Sequence, residues 1–169
     1  MTNEYLDELH RLYPKKQGPF NVMIAGTFDI VHTGHIALIN EAAQIGKVHV
    51  IIARDSSVKK FKGQNPIFPE TQRLAIVRSI KNVEWAELGS ETEDWMLRIA
   101  ELNPQLFLLG PNQFGEPEKF EKQLRQRNCS TIFRRMKAMD ESFQLNSSSK
   151  VKQEIVNRYK SHTLNGSIK

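Results

Sequence analysis

Cysteine is almost absent from this chain of 169 residues. A single cysteine, Cys129, excludes an intramolecular disulfide and a zinc cluster built from cysteine ligands. No apolar stretch approaches the roughly 20 residues that a membrane-spanning helix needs. The first residues are polar and acidic, which is not typical of a secretory signal. These absences predict a cytoplasmic protein that has no membrane partner.

Size and charge set broad limits on the class of ligand. With 39% hydrophobic residues, the chain is long enough for one domain with a real core. The formal net charge of +5 suits phosphate-bearing ligands, although it is also an ordinary value for a soluble protein. No nucleic-acid motif accompanies the charge, so nucleic acid is not an expected partner.

Strand-like and helix-like segments alternate from Phe20 onward. Short apolar runs predict strands, and the amphipathic segments between them predict helices. The predicted strands are 20–25, 48–53, 83–88, 106–109 and 130–134, and the predicted helices are 36–45, 70–80, 90–102, 117–127 and 148–159. This alternation predicts an α/β fold, a single Rossmann-like doubly wound domain with a mainly parallel five-stranded sheet and helices on both faces.

The two ends of the chain are predicted to lie outside this domain. Leu6, Leu9 and Tyr13 share one face of a predicted N-terminal helix. The sequence leaves open whether that helix packs on the domain or on a partner subunit. The resulting division is an N-terminal helix and linker at 1–19, the domain at 20–160 and a flexible C-terminal tail at 161–169.

The most informative stretch, residues 26–35, reads Gly-Thr-Phe-Asp-Ile-Val-His-Thr-Gly-His. It joins the first predicted strand to the first predicted helix, where unpaired backbone N–H groups and the helix dipole favour an anion. Gly26 and Gly34 leave room for a phosphate to approach the backbone closely. His32 and His35 can face one bound group if the helix begins at residue 33 or 34. The alternative is a strand-to-helix turn whose histidines merely cap the helix.

This stretch resembles the signature of the nucleotidylyltransferase (cytidylyltransferase-like) superfamily, in which Gly-Thr-Phe-Asp precedes His-x-Gly-His. The resemblance implies that the stretch holds a nucleoside triphosphate while the phosphate of an acceptor attacks the α-phosphorus. His32 and His35 would then donate hydrogen bonds to the triphosphate and stabilise the transition state. The nucleotide-binding residues implied in this stretch are Thr27, Phe28, His32, Thr33, Gly34 and His35.

The superfamily also carries basic residues after the second strand and on the following helix. In this chain they are Lys59 and Lys62, in a predicted polar loop at 54–66, and Arg73. Lys62 and Arg73 join His32 and His35 as expected catalytic residues that contact phosphate, because positioning and positive charge are the main requirements of such transfers. The alternative reading of the lysines is a solvated surface turn, and Lys60 is expected to be surface.

Two later segments are expected at the same edge of the sheet. The fourth strand delivers residues 110–113 to the carboxyl edge, where ligands bind in doubly wound folds. Gly110 and Asn112 are therefore predicted to bind the nucleotide. Ser148 is a third candidate, since serines at a helix N-terminus can contact base or phosphate. The alternative is that one of residues 147–149 is only the helix N-cap.

Within the superfamily, the sequence resembles the archaeal-type FAD synthases, which are FMN adenylyltransferases. The resemblance covers about residues 20–159 and is carried by 25–35, 52–60, 69–73, 88–90 and 146–150. It implies small-molecule substrates, ATP and FMN, with FAD and pyrophosphate as products. The alternative is CTP-dependent transfer to glycerol 3-phosphate or another polyol phosphate.

One departure from the FAD synthase pattern lies after the fourth strand. That group usually reads Gly-Tyr-Asp-Gln, and this chain has Gly-Pro-Asn-Gln at 110–113. Pro111 removes a backbone donor, and Asn112 replaces a charged acceptor with a weaker amide. The departure motivates an alternative of another class, a catalytically inactive nucleotide-binding regulatory protein.

Magnesium or another divalent cation is expected to bridge the phosphate oxygens. The sequence shows no dedicated set of carboxylates for a metal. Asp29 lies in a predicted tight turn, where an aspartate more often bonds its own backbone than a metal. Zinc is not expected at His32 and His35, because no third ligand is evident. The superfamily often forms dimers, and the N-terminal helix could extend a homodimer interface.

Overall fold

The computed structural model describes residues 4–92, 94–113, 115–136 and 142–164, with side chains as far as Lys160. These residues form seven helices and five strands. In chain order they are α1 (Glu4–Leu12), β1 (Phe20–Gly26), α2 (Thr33–Ile45), β2 (Gly46–Ile52), α3 (Asp55–Lys62), α4 (Glu70–Arg78), β3 (Trp85–Leu88), α5 (Met96–Leu102), β4 (Leu106–Leu109), α6 (Pro117–Arg125), β5 (Ile132–Arg135) and α7 (Ser148–Leu164). Helices α3 and α4 follow one another without a strand between them.

The five strands form one sheet in the order β3-β2-β1-β4-β5, and every pair is parallel. The predicted doubly wound α/β fold is therefore confirmed. The strand order reverses at β1, which pairs with β2 on one side and β4 on the other. A crevice at the carboxyl ends of β1 and β4 is the usual ligand site of such a sheet.

Both faces of the sheet are buried. Val22 and Ile24 of β1 belong to one hydrophobic cluster, and Met23 between them belongs to another. This division follows from the strand geometry, since successive side chains point to opposite faces. Helices cover both clusters, which explains why the central strands are nearly continuous apolar runs.

The N-terminal helix α1 packs on its own domain. Leu9 is fully buried, and the Tyr5 hydroxyl donates a hydrogen bond of 2.9 Å to the carbonyl of Arg135. Arg134 of β5 forms an ion pair with Glu8. Of the two packing arrangements that the sequence left open, the structure shows the contact with the domain.

Helix α3 occupies much of the segment that was predicted to be a polar loop. Its composition is lysine-rich, but Val58 is buried, and the left-handed Gly63 (φ 72°) ends the helix with an N–H bond to the Lys59 carbonyl. A polar sequence predicts solvent exposure, but exposure does not distinguish a loop from a surface helix that buries a single residue. The helix places Lys62 in its last turn.

Helices α5 and α7 also have boundaries that differ from the prediction, each by five residues or more. Helix α5 begins at Met96, because Asp94 Oδ1 accepts the N–H of Met96 and Ser90 Oγ contacts Thr92 instead of capping a helix. Helix α7 continues to Leu164, into the predicted tail, and the rest of that tail lies outside the described residues. Across the described ranges, no helix has the length and hydrophobicity to cross a membrane.

Candidate functional site

The turn between β1 and α2 is built around a buried aromatic ring. Phe28 has a φ of 52°, which is unusual for a residue with a side chain, and its ring is only 1% exposed. A Cβ at Gly26 would lie 2.9 Å from that ring, so glycine is needed there. The ring packs on His35 with 4.7 Å between centroids. Phe28 therefore supports the turn by packing beneath it, and its ring is enclosed by protein.

The two histidines of the turn lie together with unused polar atoms. Their rings stack with 3.8 Å between centroids. His32 occupies the N-cap position of α2, yet its side chain makes no capping hydrogen bond. Within the described residues, His32 Nδ1, His35 Nδ1 and Thr33 Oγ1 are buried and have no hydrogen-bond partner. Because such atoms are costly in a native protein, a bound ligand or an ordered water that reached them would stabilise the turn.

Burial keeps both imidazoles neutral at physiological pH. Desolvation, reinforced by the neighbouring His32 and Lys62, lowers the pKa of His35 to about 3. Burial also lowers the pKa of His32. A neutral imidazole still has one N–H donor and one acceptor. The pair can therefore donate hydrogen bonds to a triphosphate without first carrying charge.

Lys62 supplies the positive charge beside the turn. Its Nζ lies 2.9 Å from Thr27 Oγ1. Burial lowers the pKa of Lys62, and the neighbouring Lys152 and Arg73 act in the same direction. Lys59 and Lys60 are exposed on the same helix. The described contacts thus bring Lys62 to the site, as the sequence suggested, and they do not bring Lys59.

Arg73 lies inside the protein beneath the site. Its side chain is fully buried, and its guanidinium donates to the carbonyls of Phe68, Thr27 and Ala53 and to Asp55 Oδ1. These bonds tie the ends of β1 and β2 to the first residue of α3. Because the guanidinium is enclosed and engaged, the geometry does not support the predicted phosphate contact. It makes Arg73 a positioning residue.

Asp29 fastens the turn to two other segments. Its Oδ1 accepts the N–H groups of Ile67 (2.7 Å) and Phe68 (2.9 Å), and its Oδ2 lies 2.7 Å from Lys152 Nζ of α7. Burial opposes ionisation, but these hydrogen bonds outweigh it and lower the pKa of Asp29. The carboxylate is thus committed to protein contacts. No group of three or more His, Cys, Asp or Glu side chains that could hold a metal occurs in the described part of the chain.

The N-terminus of α7 closes one side of the turn. A Cβ at Gly34 would lie 2.5 Å from the carbonyl oxygen of Asn146, so only glycine permits this approach. Ser148 Oγ donates to the carbonyl of Ile30 at 3.3 Å, whereas Ser147 Oγ accepts the N–H of Lys150 at 3.3 Å. The serine next to Ser148 therefore acts as a cap, and Ser148 itself joins the helix to the histidine turn.

The loop after β4 reaches the same place, as predicted from the fold. Gln113 Nε2 donates to the carbonyl of Ala25 at 2.7 Å, and its Oε1 accepts the N–H of Gly110 at 2.5 Å. Asn112 lies exposed between them on the loop. Gly110 and Asn112 are thereby held next to the end of β1, beside the histidine turn.

Arg135 holds this loop from behind, a role that the sequence analysis missed. Its guanidinium donates to the carbonyls of Gly110 (3.0 Å), Gln113 (2.5 Å) and Gly115 (2.8 Å). The signal in the sequence was an arginine at the carboxyl end of a buried strand. Because the strand order was not known from sequence, nothing connected that end to the loop after β4.

Comparison with known proteins covers all of these segments. The family model described as cytidylyltransferase-like matches residues 23–154. The FAD synthase of Methanobrevibacter smithii is 38% identical over 138 residues, which are 79% of this chain and 89% of that protein. The FAD synthase of Archaeoglobus profundus is 40% identical over 141 residues, 83% of this chain and 88% of that protein.

A solved structure agrees with the fold and with the sequence match. The lipopolysaccharide core biosynthesis protein from Thermoplasma volcanium superposes with a TM-score of 0.68 at 33% identity, over 73% of this chain and 100% of that one. The histidine turn, α3, the loop after β4 and the first turn of α7 all lie inside the matched range of 23–154.

Proposed function

Because this chain belongs to the cytidylyltransferase-like family, we propose that it transfers the adenylyl group of ATP to FMN. A phosphate oxygen of FMN attacks the α-phosphorus of ATP, and the bond from that phosphorus to the bridging oxygen of the β-phosphate breaks. The products are FAD and pyrophosphate. The FAD synthase relatives, which are covered over most of their length, support this choice of substrates.

The observation that carries the proposal is the pair of stacked histidines with unpartnered buried nitrogens at the start of α2. A triphosphate at this helix N-terminus would meet the imidazole donors, the backbone N–H groups and Lys62 Nζ together. Such preorganised donors stabilise charge that develops on the phosphate oxygens in the transition state. The divalent cation, expected to be Mg²⁺, enters with ATP as part of the substrate, because Asp29 is engaged by Lys152 and two backbone N–H groups.

The test is a crossed assay of pyrophosphate release with the purified protein and magnesium. ATP and CTP are each combined with FMN and with glycerol 3-phosphate, and FAD is measured by its chromatographic retention. We expect turnover with ATP and FMN alone. Turnover with CTP and glycerol 3-phosphate would instead identify a cytidylyltransferase. Binding of ATP with no turnover in any combination would identify a nucleotide-binding protein that lacks activity.

Arg135→Met should weaken ATP binding without unfolding the protein. The substitution leaves the carbonyls of Gly110, Gln113 and Gly115 without their charged donor, so the loop after β4 loses its fixed position. Hydrogen bonds to charged groups are worth about 1.5–3 kcal/mol, so we expect KM for ATP to rise about tenfold. The measurement is steady-state FAD formation with ATP varied.

Arg135→Lys serves as the conservative variant in the same assay. Its ammonium keeps the charge and replaces part of the guanidinium fork, so KM for ATP should recover in part. Equal values of KM for ATP in the wild type and in Arg135→Met would show that Arg135 does not position this loop.

A further inference from the structure

Two large apolar side chains are exposed in a segment that is hydrogen-bonded to the histidine turn. Phe61 is 67% exposed at the end of α3, and Ile67 is 63% exposed in the loop that follows. Water contact of this extent is unfavourable for such side chains, and apolar side chains that are exposed close to a site are candidates for contact with a ligand.

Hydrogen bonds to the turn hold the segment that carries both of these residues. Lys62, which follows Phe61, has its Nζ 2.9 Å from Thr27 Oγ1. The backbone N–H of Ile67 donates to Asp29 Oδ1 at 2.7 Å. Thr27 and Asp29 are two positions apart in the chain, so the segment from Phe61 to Ile67 is held to the turn at both of its ends.

Charge and polarity divide the surroundings of the turn into two sides. The side formed by the loop after β4 is polar, because Arg135 donates to the carbonyls of Gly110 and Gln113, and Gln113 Nε2 donates to the carbonyl of Ala25 on β1. The α3 side combines the Lys62 cation with the apolar surfaces of Phe61 and Ile67. An acceptor with a phosphate at one end and a flat apolar ring at the other matches the α3 side.

We propose that Phe61 and Ile67 form the surface on which the isoalloxazine ring of FMN packs, while Lys62 contacts the attacking FMN phosphate as well as the triphosphate of ATP. The inference rests on the proposed function and adds the position of the acceptor. The ring gains contact with apolar side chains, and the phosphate gains a cation next to the α-phosphorus of ATP. A polyol phosphate has no ring and would gain nothing from Phe61 and Ile67, so this surface also accounts for the choice of acceptor.

The experiment compares Phe61→Ala, Ile67→Ala and the double variant with the wild type. FMN affinity is measured as KM in FAD formation and as Kd from quenching of flavin fluorescence. We expect both constants to rise about tenfold for Phe61→Ala, which is the size expected for loss of one stacking partner, and further for the double variant. The values of kcat and of KM for ATP should remain within about twofold of the wild type, since the inference assigns both side chains to the acceptor and neither to the nucleotide.

Two control variants test whether a loss of FMN affinity is specific to the aromatic and apolar surface of Phe61 and Ile67. Leu12→Ala removes an aliphatic side chain that is 51% exposed on α1, and it should change none of these constants. Phe61→Trp keeps an aromatic plane and should bind FMN nearly as well as the wild type. Agreement of Phe61→Trp with the wild type and not with Phe61→Ala would show that the aromatic face is what matters.

The failure of the inference differs visibly from the failure of the proposed function. If the wild type forms FAD and all three variants keep its FMN constants, Phe61 and Ile67 do not bind the acceptor. A lower molar mass of the variants in light scattering, with unchanged FMN constants, would assign the surface to a subunit contact and overturn the inference. If the wild type forms no FAD, the proposed function fails, and the inference fails with it.

Discussion

Replacing His35 with alanine should lower kcat for FAD formation by about 10²–10³-fold, which is the cost of removing one preorganised donor at about 2.7–4 kcal/mol. The His35 ring is stacked between His32 and Phe28, so it is already held in place before substrate binds. Much of its contribution therefore appears in the transition state, and ATP affinity should change far less than kcat. Steady-state kinetics and calorimetric titration of ATP measure the two quantities separately.

His10→Ala is the matched control for this variant. His10 lies exposed on α1, away from the turn, and its removal should leave kcat within about twofold. Loss of ATP affinity equal to the loss of kcat in His35→Ala would contradict a role specific to the transition state. It would show instead that His35 binds the substrate and the transition state equally.

The pH dependence of kcat/KM for ATP gives a second test of His35. Since burial lowers the pKa of His35 to about 3, the free enzyme holds a neutral imidazole throughout the range from pH 6 to 8. Raising the pH through 6.5, the ordinary pKa of histidine, should therefore cost no activity. A steep decline between pH 6 and 7.5 would mean that a protonated histidine is required.

The same lowered pKa values predict how stability changes in acid. As the pH falls below 6.5, the unfolded chain protonates His32 and His35 before the folded chain does, because burial lowers both pKa values in the folded state. The unfolded state then binds more protons, so the free energy of unfolding falls as the pH decreases through this region. The stability that the neutral pair retains at pH 7 is lost progressively between pH 6.5 and the lower pKa values of the folded state.

The sequence was enough to predict the sheet and the turn because both depend on local patterns. Apolar runs such as 48–53 predict central parallel strands, and the glycines and histidines of 26–35 stand between a strand-like run and a helix-like run. The approach of the loop after β4 also followed, because doubly wound sheets bring the ends of adjacent strands together. The contacts of Gln113 with Ala25 and Gly110 show that approach directly.

What the sequence could not show depends on pairing between distant residues. Helix α3 looks like a solvated loop because only Val58 among its residues is buried. Asp55, the first residue of α3, accepts a hydrogen bond from Arg73. Arg73, which the sequence assigned to phosphate contact, therefore acts as an internal brace. The role of Arg135 likewise depends on distant residues, because its guanidinium donates to three carbonyls that lie 20 to 25 positions earlier in the chain.

Arg73→Ala should destabilise the protein by about 3 kcal/mol, the lower part of the range for breaking a buried ion pair, because Asp55 is 37% exposed. The alanine leaves the carbonyls of Thr27 and Ala53 and the Asp55 carboxylate without their donor. Guanidinium-induced unfolding measures the loss as a lower midpoint at an unchanged slope. Arg73→Lys should recover only part of it, since one ammonium cannot reproduce the fork.

Arg125→Ala is the matched control, because it removes an arginine that is 72% exposed and pairs with Glu121 on the surface. Its effect on the free energy of unfolding should be within about 0.5 kcal/mol. The two roles considered for Arg73 predict opposite patterns. A brace requires lost stability with kcat preserved in the folded fraction at low temperature. A phosphate ligand requires a normal unfolding midpoint with a large rise in KM for ATP, and that result would refute the assignment drawn from its buried contacts.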